Sequence, residues 1–202
     1  MTRSNSLAAS AGLAAAAVII GFGILSTVSA PAQSEASERA SRSLQLKIDA
    51  IKAAEETSNG RTQETIVVSE EELKSYVLYE MREDIPARID SLNVELSDGA
   101  VAADTKMTFG PESTGNPLLD VLIGGTHNLF VKGKLAAAAG RGRFELQEVK
   151  VDGIPVPTIL VEALIARYVK PKYPDVDLNE PFLMPWGIDA LTITPGKTTI
   201  VY

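Results

Sequence analysis

The sequence contains no cysteine, one histidine and one tryptophan, and aromatic residues make up only 5% of it. Without cysteine there is no disulfide, no thiolate metal site, no thiol nucleophile and no lipid-modified cysteine anchor. A zinc hydrolase needs more nitrogen or sulfur ligands than His127 alone supplies. A serine–histidine–acid site would also have to use His127, and no Gly-x-Ser-x-Gly elbow is present. His127 stands in "GGTHNLF", which reads as the setting of a solvated loop histidine. Positive charge is scarce too. With 19 Lys and Arg against 26 Asp and Glu, the net charge is -7. Such a chain repels phosphate backbones, which argues against nucleic acid as a partner.

Two further patterns fail on inspection. Asp175–Glu180 ("DVDLNE") starts like a calcium loop. Glu180 then occupies the position that needs glycine, and Trp186 the one that needs glutamate. Gly140-Arg141-Gly142-Arg143 lacks the lysine of a phosphate loop and reads as a turn. No catalytic residue, metal ligand or cofactor site is assigned from the sequence.

What is present begins at the N-terminus. Arg3 is followed by a charge-free run from Leu7 to Ala30, centred on "GLAAAAVIIGFGIL" and ending in Val28-Ser29-Ala30. Residues 1–30 are expected to be a cleaved signal peptide or a retained membrane anchor, since about 20 apolar residues span a bilayer. Both readings place the rest outside the cytoplasm, periplasmic or secreted, and the second makes the inner membrane a partner. Residues 31–42 are small and polar and read as a linker. Residues 43–202 read as one domain.

Leu44, Ile48 and Ile51 predict a first helix. Glu64 to Val68 predicts a strand, and Ser69 to Glu83 a second helix. Leu92, Val94 and Leu96 alternate up to Asp98-Gly99, a favoured two-residue hairpin turn. That turn sets Leu96 opposite Val101, Val94 opposite Ala103 and Leu92 opposite Thr105. A strand follows at Leu129–Leu135, "AAAAGRGR" turns the chain, and the phase of the next strand slips by one near Gln147–Glu148, which predicts a bulge. Thr158 to Val169 predicts a third helix. A terminal hairpin around "TPGK" is expected to carry a bulge or a longer loop. The expected class is α+β, a curved antiparallel sheet of hairpins packed against two or three helices after an N-terminal hydrophobic export segment.

The stretch "VVSEEELKSYV" combines Glu70, Glu71 and Glu72 with Ser69. Ser69 and Glu72 have the spacing of a capping box, and Val68 and Leu73 that of a hydrophobic staple. The glutamates therefore read as a helix start, with the dipole favouring Glu70 and Glu71. The helix that follows has an apolar stripe of Leu73, Tyr76, Val77 and Met81. The third helix is apolar most of the way round, so it should be covered on several sides. Its Leu160, Leu164 and Tyr168, together with the stripe of the second helix, are candidates to line an apolar cavity. The alternative is plain core packing. Tyr168, Tyr173, Phe182 and Trp186 could form its rim or a membrane-facing edge, or close the core.

"VVSEEELKSYV", "GRGRFELQEVKVDGIPVP" and the closing "PWGIDALTITPGKTTIVY" resemble small bacterial exported proteins of uncharacterised function. They are distantly similar to LmeA-like members of the tubular lipid-binding superfamily. The resemblance covers about residues 64–202. It implies a curved sheet wrapping a helix, an apolar tube-like space and no catalysis. The leading expectation is a non-enzymatic, extracytoplasmic module that binds a lipid or another apolar small molecule. Two other readings stay open: a ligand-free structural or protein-interaction module of the cell envelope, and a hydrolase with an unrecognised site.

Overall fold

A computed structural model describes residues 36–57, 63–82, 85, 87–110, 124–166 and 180–202. The expected export segment, residues 1–30, lies outside them. So do Leu118–Ile123, Tyr168, Tyr173 and most of the acidic stretch from Asp175.

The first helix, α1 (Glu38–Thr57), starts inside the expected linker. Ser37 explains the difference. Its hydroxyl accepts from the Ala40 amide at 3.2 Å, and its carbonyl accepts from the Ser41 amide at 3.0 Å. That is a serine cap placed before the first apolar residue of the stripe. Ala40, Leu44, Ile48 and Ile51 then bury one face.

Strand β1 (Thr65–Ser69) runs directly into helix α2 (Glu70–Tyr79). The helix ends before the expected Glu83. The amides of Glu80 and Met81 both reach the Tyr76 carbonyl, at 2.9 and 3.2 Å, and the chain turns so that Met81 packs on the core.

Strands β2 (Arg88–Ser97) and β3 (Ala100–Phe109) form the expected hairpin, with Leu96↔Val101, Val94↔Ala103 and Leu92↔Thr105 paired. Strand β4 (Gly125–Ala138) pairs with β3 on one side and β5 (Arg141–Val151) on the other. The alanines expected in a loop continue β4 to Ala138, and the turn is only Ala139-Gly140. Both have positive φ, 51° and 72°, which suits a tight hairpin turn. The slip in β5 is where the alternation placed it. Lys132 pairs with Glu148 and Gly133 with Leu146, so Gln147 is the extra residue of a bulge.

The short β6 (Ile154–Pro155) leads into α3 (Thr158–Leu164), and β7 (Phe182–Leu183) precedes the terminal hairpin β8 (Ala190–Thr194) and β9 (Lys197–Val201). The terminal turn is tighter than expected. Thr194 pairs with Lys197 without a register shift, so Pro195-Gly196 is a two-residue turn, with Gly196 at φ 77°. Bonds to the rest of the fold hold it. The Gly196 amide donates to the Leu96 carbonyl at 3.0 Å, and its carbonyl accepts from the Glu70 amide at 3.3 Å.

The nine strands among the described residues belong to one antiparallel sheet, ordered β1-β9-β8-β4-β3-β2, with β5 branching from β4 and flanked by β6 and β7. β8 joins β4 at Ala137↔Leu191, just past the end of β3. One face is apolar and carries the helices. The main core joins Leu92, Val94, Leu96, Val131, Leu135 and Ile193 of the sheet to Val77 of α2 and Val161 and Ile165 at α3. A second cluster under α1 joins Leu44, Ile48 and Ile51 to Val68, Trp186 and Ile188. The other face carries charged residues such as Glu95, Lys132 and Glu148, the polar side of the alternation. The architecture is thus the expected α+β class: an antiparallel sheet with helices on one face.

Candidate functional site

The three glutamates resolve into structural bonds. Ser69 caps α2 in a full capping box: its hydroxyl accepts from the Glu72 amide at 3.2 Å, and the Glu72 carboxylate accepts from the Ser69 amide at 2.9 Å. Val68 and Leu73 pack together in the second cluster, as the staple requires. Glu72 does more than cap. It also takes Lys47 and Ser43 of α1, each at 2.5 Å, and Lys47 in turn donates to the Val67 carbonyl. Burial pushes the Glu72 carboxyl up, but the bonds from Lys47, Ser43 and Ser69 outweigh it and leave it below its ordinary value. Glu70 accepts from the Leu96 amide at 2.6 Å, and Glu71 from the Ser37 hydroxyl at 3.4 Å. β1 and β2 are the two ends of the main strand order. Val67 and Leu96 therefore offer polar groups on free edges, and these side chains cover them.

His127 is not the solvated loop residue expected. It lies on the helix-bearing face of β4 with its side chain 16% exposed. Nδ1 meets the Asp152 carboxylate at 2.7 Å and Nε2 the Gly124 carbonyl at 3.0 Å. The His127 bond, helped by the Asn128 amide, holds the Asp152 carboxyl below its ordinary value. With both ring nitrogens engaged, His127 serves as a brace between β4 and the β5–β6 turn. Asp104 is held the other way, since burial raises its carboxyl. It lies on the charged face between Asn93 and Phe130. Neither neighbour is a carboxylate, so no acid pair forms there. Among the described residues no three His, Cys, Asp or Glu side chains converge as a metal site.

Among the described residues a groove lies elsewhere, at the outer edge of β5. β6 pairs with Lys150 and Val151, and β7 pairs with Arg141 and Gly142. Between them, residues 143–149 have no second strand among the described residues. A groove of about 220 Å³ opens there, with α3 as its far wall. Phe144, Leu146, Val149, Val156 and Val161 give it an apolar floor. Arg143, Glu145, Glu148 and Glu162 form a charged rim. Alternation explains the division, because the in-facing residues of β5 make the floor and the out-facing ones the rim. The bulge at Gln147 keeps Leu146 and Val149 both on the floor. Gly133 is needed behind it: a Cβ there would lie 2.2 Å from the Phe144 ring, so only glycine lets the ring seat against β4.

The candidate lining residues are distributed as follows. Val77 is a core residue at 2% exposure, with Leu73 and Met81 packed against the same cluster. Tyr76 packs against the second cluster. Leu160 is half-buried. The Leu164 side chain and Tyr168 lie outside the described residues. The third helix is not covered all round as expected, because Ile159 is 72% exposed. Among the described residues nothing covers the Ile159 side chain in its first turn. Trp186 and Phe182 share no rim. Trp186 is buried in the second cluster with Lys52 over its ring at 4.8 Å, whereas Phe182 packs on the main core. The groove's own floor residues were readable as strand alternation but not as a site. The visible signals were the phase slip at Gln147 and the charge-free, proline-bearing "GIPVP" beside it. Comparison with protein-family models, with curated proteins and with solved structures finds no match for this chain.

Proposed function

We propose that this protein is a non-enzymatic, extracytoplasmic module that holds an apolar chain, such as one acyl chain of a lipid, in the groove between β5 and α3. The observation that carries this reading is the groove itself, of about 220 Å³, whose exposed lining is more polar than apolar over a floor of Phe144, Leu146 and Val149. That volume exceeds the ~150 Å³ cavity that accepts a benzene-sized guest. It falls below the ~300–1,000 Å³ of pockets that enclose a whole drug-sized ligand. The size suits one segment of a chain whose polar end stays at the rim with Arg143, Glu145 and Glu162. The distant resemblance to LmeA-like proteins and the apolar run from Leu7 to Ala30 favour the same class of ligand and the same side of the membrane. The structural roles found for Glu70, Glu72, His127 and Asp152 leave these groups to the scaffold rather than to catalysis.

Native mass spectrometry of the full chain released from detergent micelles tests the reading. The expected result is a bound single-chain amphiphile whose occupancy falls in Leu146→Trp, which fills the groove from a half-buried position. A wild-type protein that retains no apolar adduct would sink it. A ligand-free envelope module that pairs a partner's strand along residues 143–149 is the second reading. The unpaired edge of β5 favours it.

A further inference from the structure

At one end of the groove the chain makes a projecting tip. From Gly153 to Val161 no residue is charged. Ile154 and Ile159 are 70% and 72% exposed, among the most exposed large apolar side chains described. Exposed isoleucines on an otherwise uncharged turn have little to gain in water.

Part of the tip's backbone is satisfied within the chain. Pro155 and Pro157 have no N–H to satisfy. The Val156 amide donates to the Val149 carbonyl at 2.9 Å, and the Leu160 amide to the Pro157 carbonyl at 2.9 Å. The Thr158 and Ile159 amides, at the uncapped start of α3, are left for water or lipid headgroups, since a donor stranded in an apolar medium is costly. The base of the tip is fixed. The Asp152 amide donates to the Asn128 carbonyl at 2.7 Å, and the Asp152 carboxylate receives the Asn128 amide at 2.8 Å and His127 at 2.7 Å. Asp152 and Gly153 turn with φ of 48° and 83°. A tip mounted this way loses little conformational freedom when it docks.

The tip and the groove are continuous, because Val156 and Thr158 belong to both. We infer that the tip from Gly153 to Leu160 docks on an uncharged phospholipid surface and opens the groove to it. The inference rests on the groove reading above. Two further observations favour a bilayer over a protein. The charge-free run from Leu7 to Ala30 is long enough to span a membrane, and Pro31 to Ser37 can extend at most about 25 Å, so the domain would be held near that surface. Charge selects the lipid. Lys150, cross-strand from Pro155, is paired with Glu148 at 2.6 Å, so Asp152 and Glu162 leave the ends of the tip acidic, and with a net charge of -7 anionic headgroups are repelled and zwitterionic ones accepted.

The absence of cysteine gives a clean test. Ile154→Cys and Ile159→Cys, each in the full chain, carry an environment-sensitive fluorophore. Leu183→Cys is the control. Leu183 is 76% exposed but pairs with Arg141 at the far end of β5, roughly 30 Å from the tip. The proteins are reconstituted in phosphatidylcholine vesicles with quenchers on the acyl chains. Labels at 154 and 159 should shift to the blue and be quenched, the label at 183 should not, and added phosphatidylserine should weaken the effect. Labels at 154 and 159 as water-exposed as that at 183 would overturn the inference. So would a blue shift that grows with protein concentration without vesicles, since a second copy would then cover the tip. A chain retained in native mass spectra with both tip labels in water overturns the docking alone. Quenched tip labels with no retained chain support the docking and overturn the groove reading.

Discussion

The sheet has free edges at two places, and they are treated differently. Where β1 and β2 end the main strand order, charged side chains cover backbone groups: Lys47 takes the Val67 carbonyl and Glu70 the Leu96 amide. Around them Glu72, Ser69 and Ser43 complete a bonded junction that ties α1 to α2. At β5 the rim charges lie along the edge of a groove with an apolar floor, and the exposed Ile154 and Ile159 lie at one end of it. The first edge is closed by the electrostatics of a buried network. Among the described residues no strand or helix covers the second, which is why the proposed ligand is placed there.

Five substitutions and a titration separate the two edges. The largest effect is expected on the groove floor. Phe144→Ala removes a buried ring seated over Gly133 and should cost about 3–5 kcal/mol in urea unfolding. At the closed edge, Lys47→Ala strands the part-buried Glu72 carboxylate and the Val67 carbonyl, and should cost about 2 kcal/mol. Arg143→Ala on the groove rim is the matched contrast and should change stability by less than about 0.5 kcal/mol. Equal losses at Lys47 and Arg143 would erase the distinction between the edges.

Acid should act on the closed edge too. The folded-state pKa of Glu72 is lowered, so its contribution is present above its ordinary value of 4.5 and is lost as pH falls below that value toward the folded one. Glu72→Gln should flatten the fall in melting temperature across that window; an unchanged profile would contradict the assigned role. Ser69→Ala should cost about 1 kcal/mol through the lost cap. The smallest effect is expected at the tip, where Ile159→Ser should stay within about 0.5 kcal/mol because the side chain is already in water.

Much of the scaffold was legible in the residues themselves, and the reasons are local. Asp98-Gly99 allows a two-residue turn, and the turn fixes the register of β2 and β3. Ser69 with Glu72 marks a helix start, and the slip from Leu146 to Val149 marks a bulge. Each signal lies within a few residues of what it specifies. The misreadings were decided by distant partners. The Pro195-Gly196 turn stays tight because Leu96 and Glu70 hold it. His127 is braced because Asp152, 25 residues on, comes beside it. The start of α1 was the exception: Ser37 was a local signal hidden in a polar stretch. The groove was least legible of all. Its floor looks like any alternating strand, and only the topology, which makes β5 a branch beyond β4, turns that strand into an exposed edge.

The central claim is that the space between β5 and α3 receives an apolar chain. Photo-crosslinking with a diazirine-bearing fatty acyl probe, followed by peptide mapping, reads this directly. The account predicts adducts concentrated on the peptides that carry Phe144 to Val149 and Val156 to Val161, competed away by unlabelled single-chain amphiphile. Adducts concentrated on α1 and α2 instead, or labelling that the competitor leaves unchanged, would contradict it.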